Sequence, residues 1–127
     1  MPSWTPVNSP DVEAVPVFSH AAVAGDTVYV SGMLGLDDAG ESLVEGGVGP
    51  ETTQSFRHVK RILAACDASL ADIVKVSVYM PDLGEWEAMN VAYLDVFGDR
   101  PPARIAVGCA SLLLGARVEF DCVAYSP

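Results

Sequence analysis

Positive charge is scarce in this chain, and that scarcity closes off a class of partner. Seven lysines and arginines stand against 17 aspartates and glutamates, a formal net charge of −10 over 127 residues. A phosphate backbone is repelled overall. The nearest thing to a basic cluster, Arg57, Lys60 and Arg61, falls at helical spacing and reads as a solvated helix face. Long apolar runs are missing too: none approaches the ~18 residues of a membrane-crossing helix. The opening MPSWTPVNSP has no basic segment followed by a hydrophobic one, so a signal peptide is not expected. The three cysteines, Cys66, Cys109 and Cys122, are odd in number and sit in apolar stretches. They predict reduced core thiols in a cytoplasmic protein rather than a disulfide framework. His20 and His58 are far apart, His58 is expected on the polar side of a helix, and no Cys/His pattern has metal-ligand spacing.

Common catalytic signatures are also wanting. The stretch VEGGVGP lacks the Lys-Ser/Thr ending of a phosphate loop and reads as a connector. Ser31 in VSGMLG has no G-x-S-x-G spacing around it, so it is not a nucleophile elbow.

What is present is apolar surface. Half of the residues are hydrophobic and 19% are charged, an oily balance for one small domain, and it points to burial between copies of the chain. We read residues 1–127 as a single domain in which the proline-rich residues 1–16 form an extended arm. Gly25-Asp26 between two apolar arms predicts a hairpin, with Val28, Val30, Gly32 and Leu34 on one side and Tyr29, Ser31 and Met33 on the other. Glycines 32 and 35 inside a strand mark a bulge or a close approach by a ligand or another chain. The stripe Phe56, Val59, Leu63, Cys66 predicts a helix over 51–68. DIVKVSVYM alternates as a strand, with Val74, Val76, Val78 and Met80 on one face. Asp82 and Glu85 then resemble a capping box for a second helix, whose stripe is Trp86, Met89, Tyr93 and Phe97 and which Gly98 ends. Two further strands, paired as a hairpin, complete an α+β layer: one mixed sheet with both helices on one face.

In the strand ARIAVGCA, Ile105 and Val107 are expected under the helices, with Arg104, Ala106 and Gly108 on the open face. In the last strand Val118, Phe120 and Cys122 face the core, while Arg117, Glu119 and Asp121 face out. Arg104 is then either paired to Glu119 or Asp121, or free to clamp a ligand carboxylate beside a carboxylate that handles water. Pattern alone leaves both open. Asn90, on the second helix, reads as a surface or capping amide.

Three pieces carry a resemblance: VYVSGMLGL, SLADIVKVSVYMPDLGEWEAMNVAY, and PPAR with VEF placing Glu119 fifteen residues after Arg104. Along nearly its whole length the chain resembles the reactive intermediate deaminase (RidA, YjgF-like, L-PSP) family. The resemblance implies a chorismate-mutase-like α+β fold, a homotrimer with clefts between subunits, and no metal or organic cofactor. It implies hydrolysis of reactive 2-imino acids to 2-keto acids and ammonia, with a small-molecule carboxylate as the partner and neither nucleic acid nor membrane. In that scheme Arg104 binds the substrate carboxylate and Glu119 holds or activates water. Gly32 matches a glycine of the pocket wall, and Asn90 an asparagine near the cleft. Four positions depart from the pattern. Phe18 stands where tyrosine is typical, Met33 where glutamine is common, and Ile105 and Ala106 where a small polar residue and a cysteine often follow the arginine. These apolar replacements fit a bulkier 2-imino acid. They equally fit a divergent member performing isomerisation, hydrolysis or condensation in a biosynthetic pathway, or a trimer that binds carboxylates without turnover.

Overall fold

The computed structural model describes residues 3–127. Six strands and two α-helices follow in the order β1 (Trp4–Val7), β2 (Ala21–Ala24), β3 (Thr27–Met33), α1 (Val48–Ala64), β4 (Ile73–Met80), α2 (Trp86–Phe97), β5 (Ala103–Gly108) and β6 (Glu119–Tyr125). The strands form one mixed sheet in the spatial order β1-β2-β3-β6-β4-β5. The hairpin about Gly25-Asp26 is present, with Ala24 opposite Thr27. Part of the expected arm, Trp4–Val7, is itself a strand that pairs antiparallel with β2; residues 1 and 2 of that arm lie outside the described residues.

The last two strands do not form a hairpin. β6 inserts between β3 and β4, antiparallel to both, and β5 pairs parallel to β4 at the sheet edge. The unit β4-α2-β5 is thus a parallel crossover, which needs the length of a helix to carry the chain back over the sheet. Alternation shows which residues share a face but not which strands are neighbours, so the pairing was beyond it.

The core lies between the sheet and the two helices. Val28, Val30, Val76, Val78, Phe120 and Cys122 rise from the sheet to meet Phe56, Val59 and Leu63 of α1 and Met89 and Tyr93 of α2. Each large apolar side chain buried this way contributes roughly 1.5–3 kcal/mol. Phe56 knits three elements, its ring centroid 5.8 Å from Tyr93, 5.1 Å from Phe97 and 4.6 Å from Phe120.

Local differences have local causes. α1 starts earlier than expected, at Val48 after Gly47, with Pro50 in its first turn, where a missing N–H costs nothing. It stops at Ala64 because Asp67 turns left-handed (φ 57°) and the N–H groups of Cys66 and Ala68 both donate to the Leu63 carbonyl. Asp82 caps a 3₁₀ turn through the Gly84 N–H (2.8 Å), while Glu85 bonds Arg117 instead of closing a box. The box that does form is Ser69 with Asp72, ahead of β4. Val74 is half exposed because a register shift between Ile73 and Lys75 turns it off the core face. His58 is buried, not solvated, and its Nε2 donates to the Leu36 carbonyl at 2.7 Å. Cys122 is buried, Cys66 and Cys109 are half-buried, and all three are free thiols.

Candidate active site

Arg104 lies opposite Val76 in the β4–β5 register, and Val76 is fully buried under the helices. The arginine therefore emerges on the helix side of the sheet, not on the open face. Ile105 and Val107, expected inside, are on the open side, 50% and 37% exposed. The strand reads in reverse because β5 is an edge strand: its outer residues need no cover, while its inner positions meet α2. Ala106 packs against the core two residues beyond Arg104 on the same side.

The environment of Arg104 resolves what it faces. Its guanidinium carbon sits 4.9 Å from the Trp86 ring centroid and 4.7 Å from that of Tyr93. One terminal nitrogen donates to Asn90 Oδ1 at 2.7 Å. Neither Glu119 nor Asp121 pairs with it, and among the described residues no carboxylate lies within salt-bridge distance. Two aromatic faces and an amide oxygen stabilise a cation without neutralising it. The in-plane N–H groups not used by Asn90 remain for a planar anion, which a guanidinium binds in bidentate fashion. Trp86, Asn90 and Tyr93 form one face of α2 through their spacing of four and three. The sequence showed that spacing, but Trp86 and Tyr93 read there as core stripe. Tyr93 also packs on Phe56, and burial pushes its phenol up to about 12, so it stays protonated. Its hydroxyl has no hydrogen-bond partner. Asn90, Tyr93 and Arg104, with Leu94, Pro101 and Pro102, line a cleft of about 290 Å³.

Glu119 is on the other side of the sheet. It opens β6, its neighbours Val118 and Phe120 are fully buried toward the helices, and its carboxylate lies over Gly32. A Cβ at position 32 would sit 2.7 Å from Glu119 Oε2, so the glycine makes room for the acid. Burial, and then the charge of Asp121, push the Glu119 carboxyl above its ordinary range. No hydrogen bond to this carboxylate is formed among the described side chains. A larger cavity, about 570 Å³, opens beside it, with Phe18, Gly32 and Met33 in its wall. The β3 facing expected from sequence breaks here. The register between β3 and β6 shifts between Val30 and Met33, which buries Met33 with Val28 and Val30 and leaves Gly32 exposed.

The eight expected site residues thus divide. Phe18, Gly32, Met33 and Glu119 line the larger cavity, Asn90 and Arg104 line the smaller cleft, and Ile105 and Ala106 line neither. Within one chain Arg104 and Glu119 occupy opposite faces of the sheet. Leu113 and Leu114 are in the wall beside Glu119, where sequence reasoning saw only a connection.

Among the described residues no group of three His, Cys, Asp or Glu side chains could hold a metal ion. Among the described residues no helix is long and apolar enough to cross a membrane.

Residues 8–126 match the family model described as Endoribonuclease L-PSP. The chain belongs to this family, which includes RidA and YjgF. The goat protein named 2-iminobutanoate/2-iminopropanoate deaminase is 36% identical over 111 residues, 87% of this chain and 81% of that protein. The mitochondrial protein mmf1 of Schizosaccharomyces pombe is 32% identical over 98% of this chain and 77% of its own length. The crystal structure of RidA from an Antarctic Psychrobacter superposes with a TM-score of 0.86 at 35% identity, covering 95% of this chain and 98% of the other. The α+β architecture is that of the RidA fold.

Proposed function

We propose that this L-PSP family member is a deaminase that hydrolyses 2-imino acids to 2-keto acids and ammonia, in clefts formed between the subunits of a homotrimer. The observation that carries the reading is Arg104, a cation held by two rings and Asn90 with no carboxylate among the described residues to satisfy it. The names of the deaminase relatives point the same way. The family description names an endoribonuclease, but a net charge of −10 opposes RNA.

Arg104 holds the substrate carboxylate edge-on, and Asn90 fixes the guanidinium. Glu119, contributed by a neighbouring copy, takes a proton from water as the oxygen attacks the C=N carbon. Glu119 gives that proton to the nitrogen and then carries the hydroxyl's proton there as well; as the keto C=O forms the C–N bond breaks, and ammonia and the 2-keto acid leave. Every step is proton transfer and addition, so the reaction needs no redox partner. The open sheet face supports assembly, with Tyr29, Ile105 and Tyr125 each about half exposed on it. The three free thiols favour a cytoplasmic setting.

The direct test generates 2-iminopropanoate in situ from alanine with an amino-acid oxidase and follows keto-acid release against buffer. The wild-type protein accelerates release, and Arg104→Ala lowers kcat/KM by about a hundredfold or more. No acceleration by the wild-type protein would sink the activity, and an unchanged Arg104→Ala would sink the assigned anchor. Equilibrium sedimentation checks the trimer.

A further inference from the structure

We propose that the cavity beside Glu119 receives the substrate's side chain, and that the preferred substrates are 2-imino acids with large apolar side chains, such as those derived from leucine or phenylalanine. This rests on the deaminase reading and adds the substrate class.

Size is the first observation. The cavity measures about 570 Å³, within the range of roughly 300–1,000 Å³ that encloses drug-sized ligands. A three-carbon imino acid is small against this volume, part of which the neighbouring copy that supplies Arg104 takes up.

The chemistry of the wall is the second. Several of its polar side chains hydrogen-bond to the protein itself, while the Glu13 carboxylate and His58 Nδ1 have no partner among the described residues. His20 Nδ1 accepts from the Ser9 N–H at 3.0 Å, and its Nε2 donates to the Glu13 carbonyl at 2.9 Å. Ser31 Oγ donates to the Ser19 carbonyl at 2.6 Å, and His58 Nε2 to the Leu36 carbonyl at 2.7 Å. Asp37 accepts from the Glu41 N–H at 3.0 Å. What the wall offers a ligand is therefore mainly apolar surface, from Val12, Val15, Phe18, Met33, Leu113 and Leu114, with Glu119 as the carboxylate beside Gly32 and Glu13 and His58 as further polar groups. That pairing suits a substrate with an oily body and one reacting polar centre.

Backbone conformation is the third. Leu114 holds φ at 59°, the left-handed region that a leucine seldom adopts. Such a conformation persists only where the surroundings impose it, and it occurs preferentially at ligand sites. Here it sets Leu114, 64% exposed, beside Leu113, 77% exposed, at the cavity rim. Two leucines held at the mouth of an apolar cavity would close over a side chain large enough to reach them.

The experiment measures kcat/KM for imines generated from alanine, methionine, leucine and phenylalanine, for the wild-type protein and for Leu114→Asn. Asparagine tolerates the left-handed conformation, so the variant keeps the turn and removes only the apolar contact. The wild-type protein prefers the leucine- and phenylalanine-derived imines over 2-iminopropanoate by roughly tenfold or more, and Leu114→Asn lowers that ratio severalfold. Thermal melting and Leu113→Ser, which alters the neighbouring rim position, separate this effect from misfolding. If 2-iminopropanoate is hydrolysed as fast as the bulky imines, the cavity does not select the side chain and the substrate class is wrong while the deaminase reading stands. A bulky preference that neither leucine variant alters would overturn this cavity as its source. If no imine is hydrolysed, both readings fall.

Discussion

Glu119 is asked to be charged in a place that resists charge. Half-burial and the neighbouring Asp121 raise its pKa above the ordinary glutamate value of 4.5, in that order of cause. The fold thus favours the protonated form. The stabilisation this gives is fully present below pH 4.5 and is lost as pH rises through the raised value. Above the raised value the carboxylate is ionised at a cost in stability, so Glu119→Gln should melt higher than wild type there, a gain that vanishes in acid. Activity has the opposite dependence, because only the carboxylate can take a proton from water. The acid limb of kcat/KM should therefore lie above the range of a solvent-exposed glutamate, and Asp121→Asn should move it to lower pH by removing a like charge. A limb that Asp121→Asn leaves in place would dissociate it from Glu119. This acid was singled out by the resemblance, through its place fifteen residues after Arg104. Its environment was not legible in the sequence, because burial depends on β3 and on a glycine far away in the chain.

In β3 and just beyond its end the same kind of residue does two different jobs. A Cβ at Gly35 would lie 2.6 Å from the Cα of Glu51 and 2.7 Å from its carbonyl oxygen, in the backbone of α1. A Cβ at Gly32 would meet only the carboxylate end of Glu119, which can swing aside. Gly35→Ala should therefore push α1 off the sheet and cost about 1–3 kcal/mol in denaturant unfolding. Gly32→Ala should leave stability within roughly 1 kcal/mol and lower kcat/KM by about tenfold or more, by displacing the acid. Equal effects on stability would contradict this division of roles. Both glycines stood out in the sequence as misfits in a strand; the expected bulge is found at Gly32, while the close approach at Gly35 comes from α1 of the same chain and not from a ligand or another chain. The element-level pattern was legible wherever the register is unbroken, as from Val76 to Met80. It failed at Val74 and Met33, each beside a register shift, because one displaced residue puts the residues on its two sides out of phase. It failed on β5 for a different reason: an edge strand carries apolar residues on both sides, so composition does not say which side is inner.

On the scale of the whole molecule, the placement of Arg104 and Glu119 on opposite faces of one sheet decides how a site using both can exist. A side chain cannot pass through a sheet whose central positions, Val76, Val78 and Phe120, have no exposed surface. An arginine from the helix side of one copy must instead meet an acid from the open face of another. In a closed ring every copy gives and receives once, a heterologous contact repeated by symmetry. The edge position of β5 fits this role, since Arg104 then lies at the rim where a neighbour can reach it. The consequence can be measured with two inactive proteins. On the proposed trimer, Arg104→Ala and Glu119→Gln unfolded together and refolded should form mixed assemblies in which some clefts join an intact Arg104 to an intact Glu119. Activity should reappear in the mixture and not when the two proteins are refolded separately and then combined. If each cleft were built from one chain, every site would carry one defect and mixing would restore nothing. Refolded mixtures no more active than either parent would overturn the shared cleft, and trimers found by sedimentation in the same samples would exclude failed assembly as the cause.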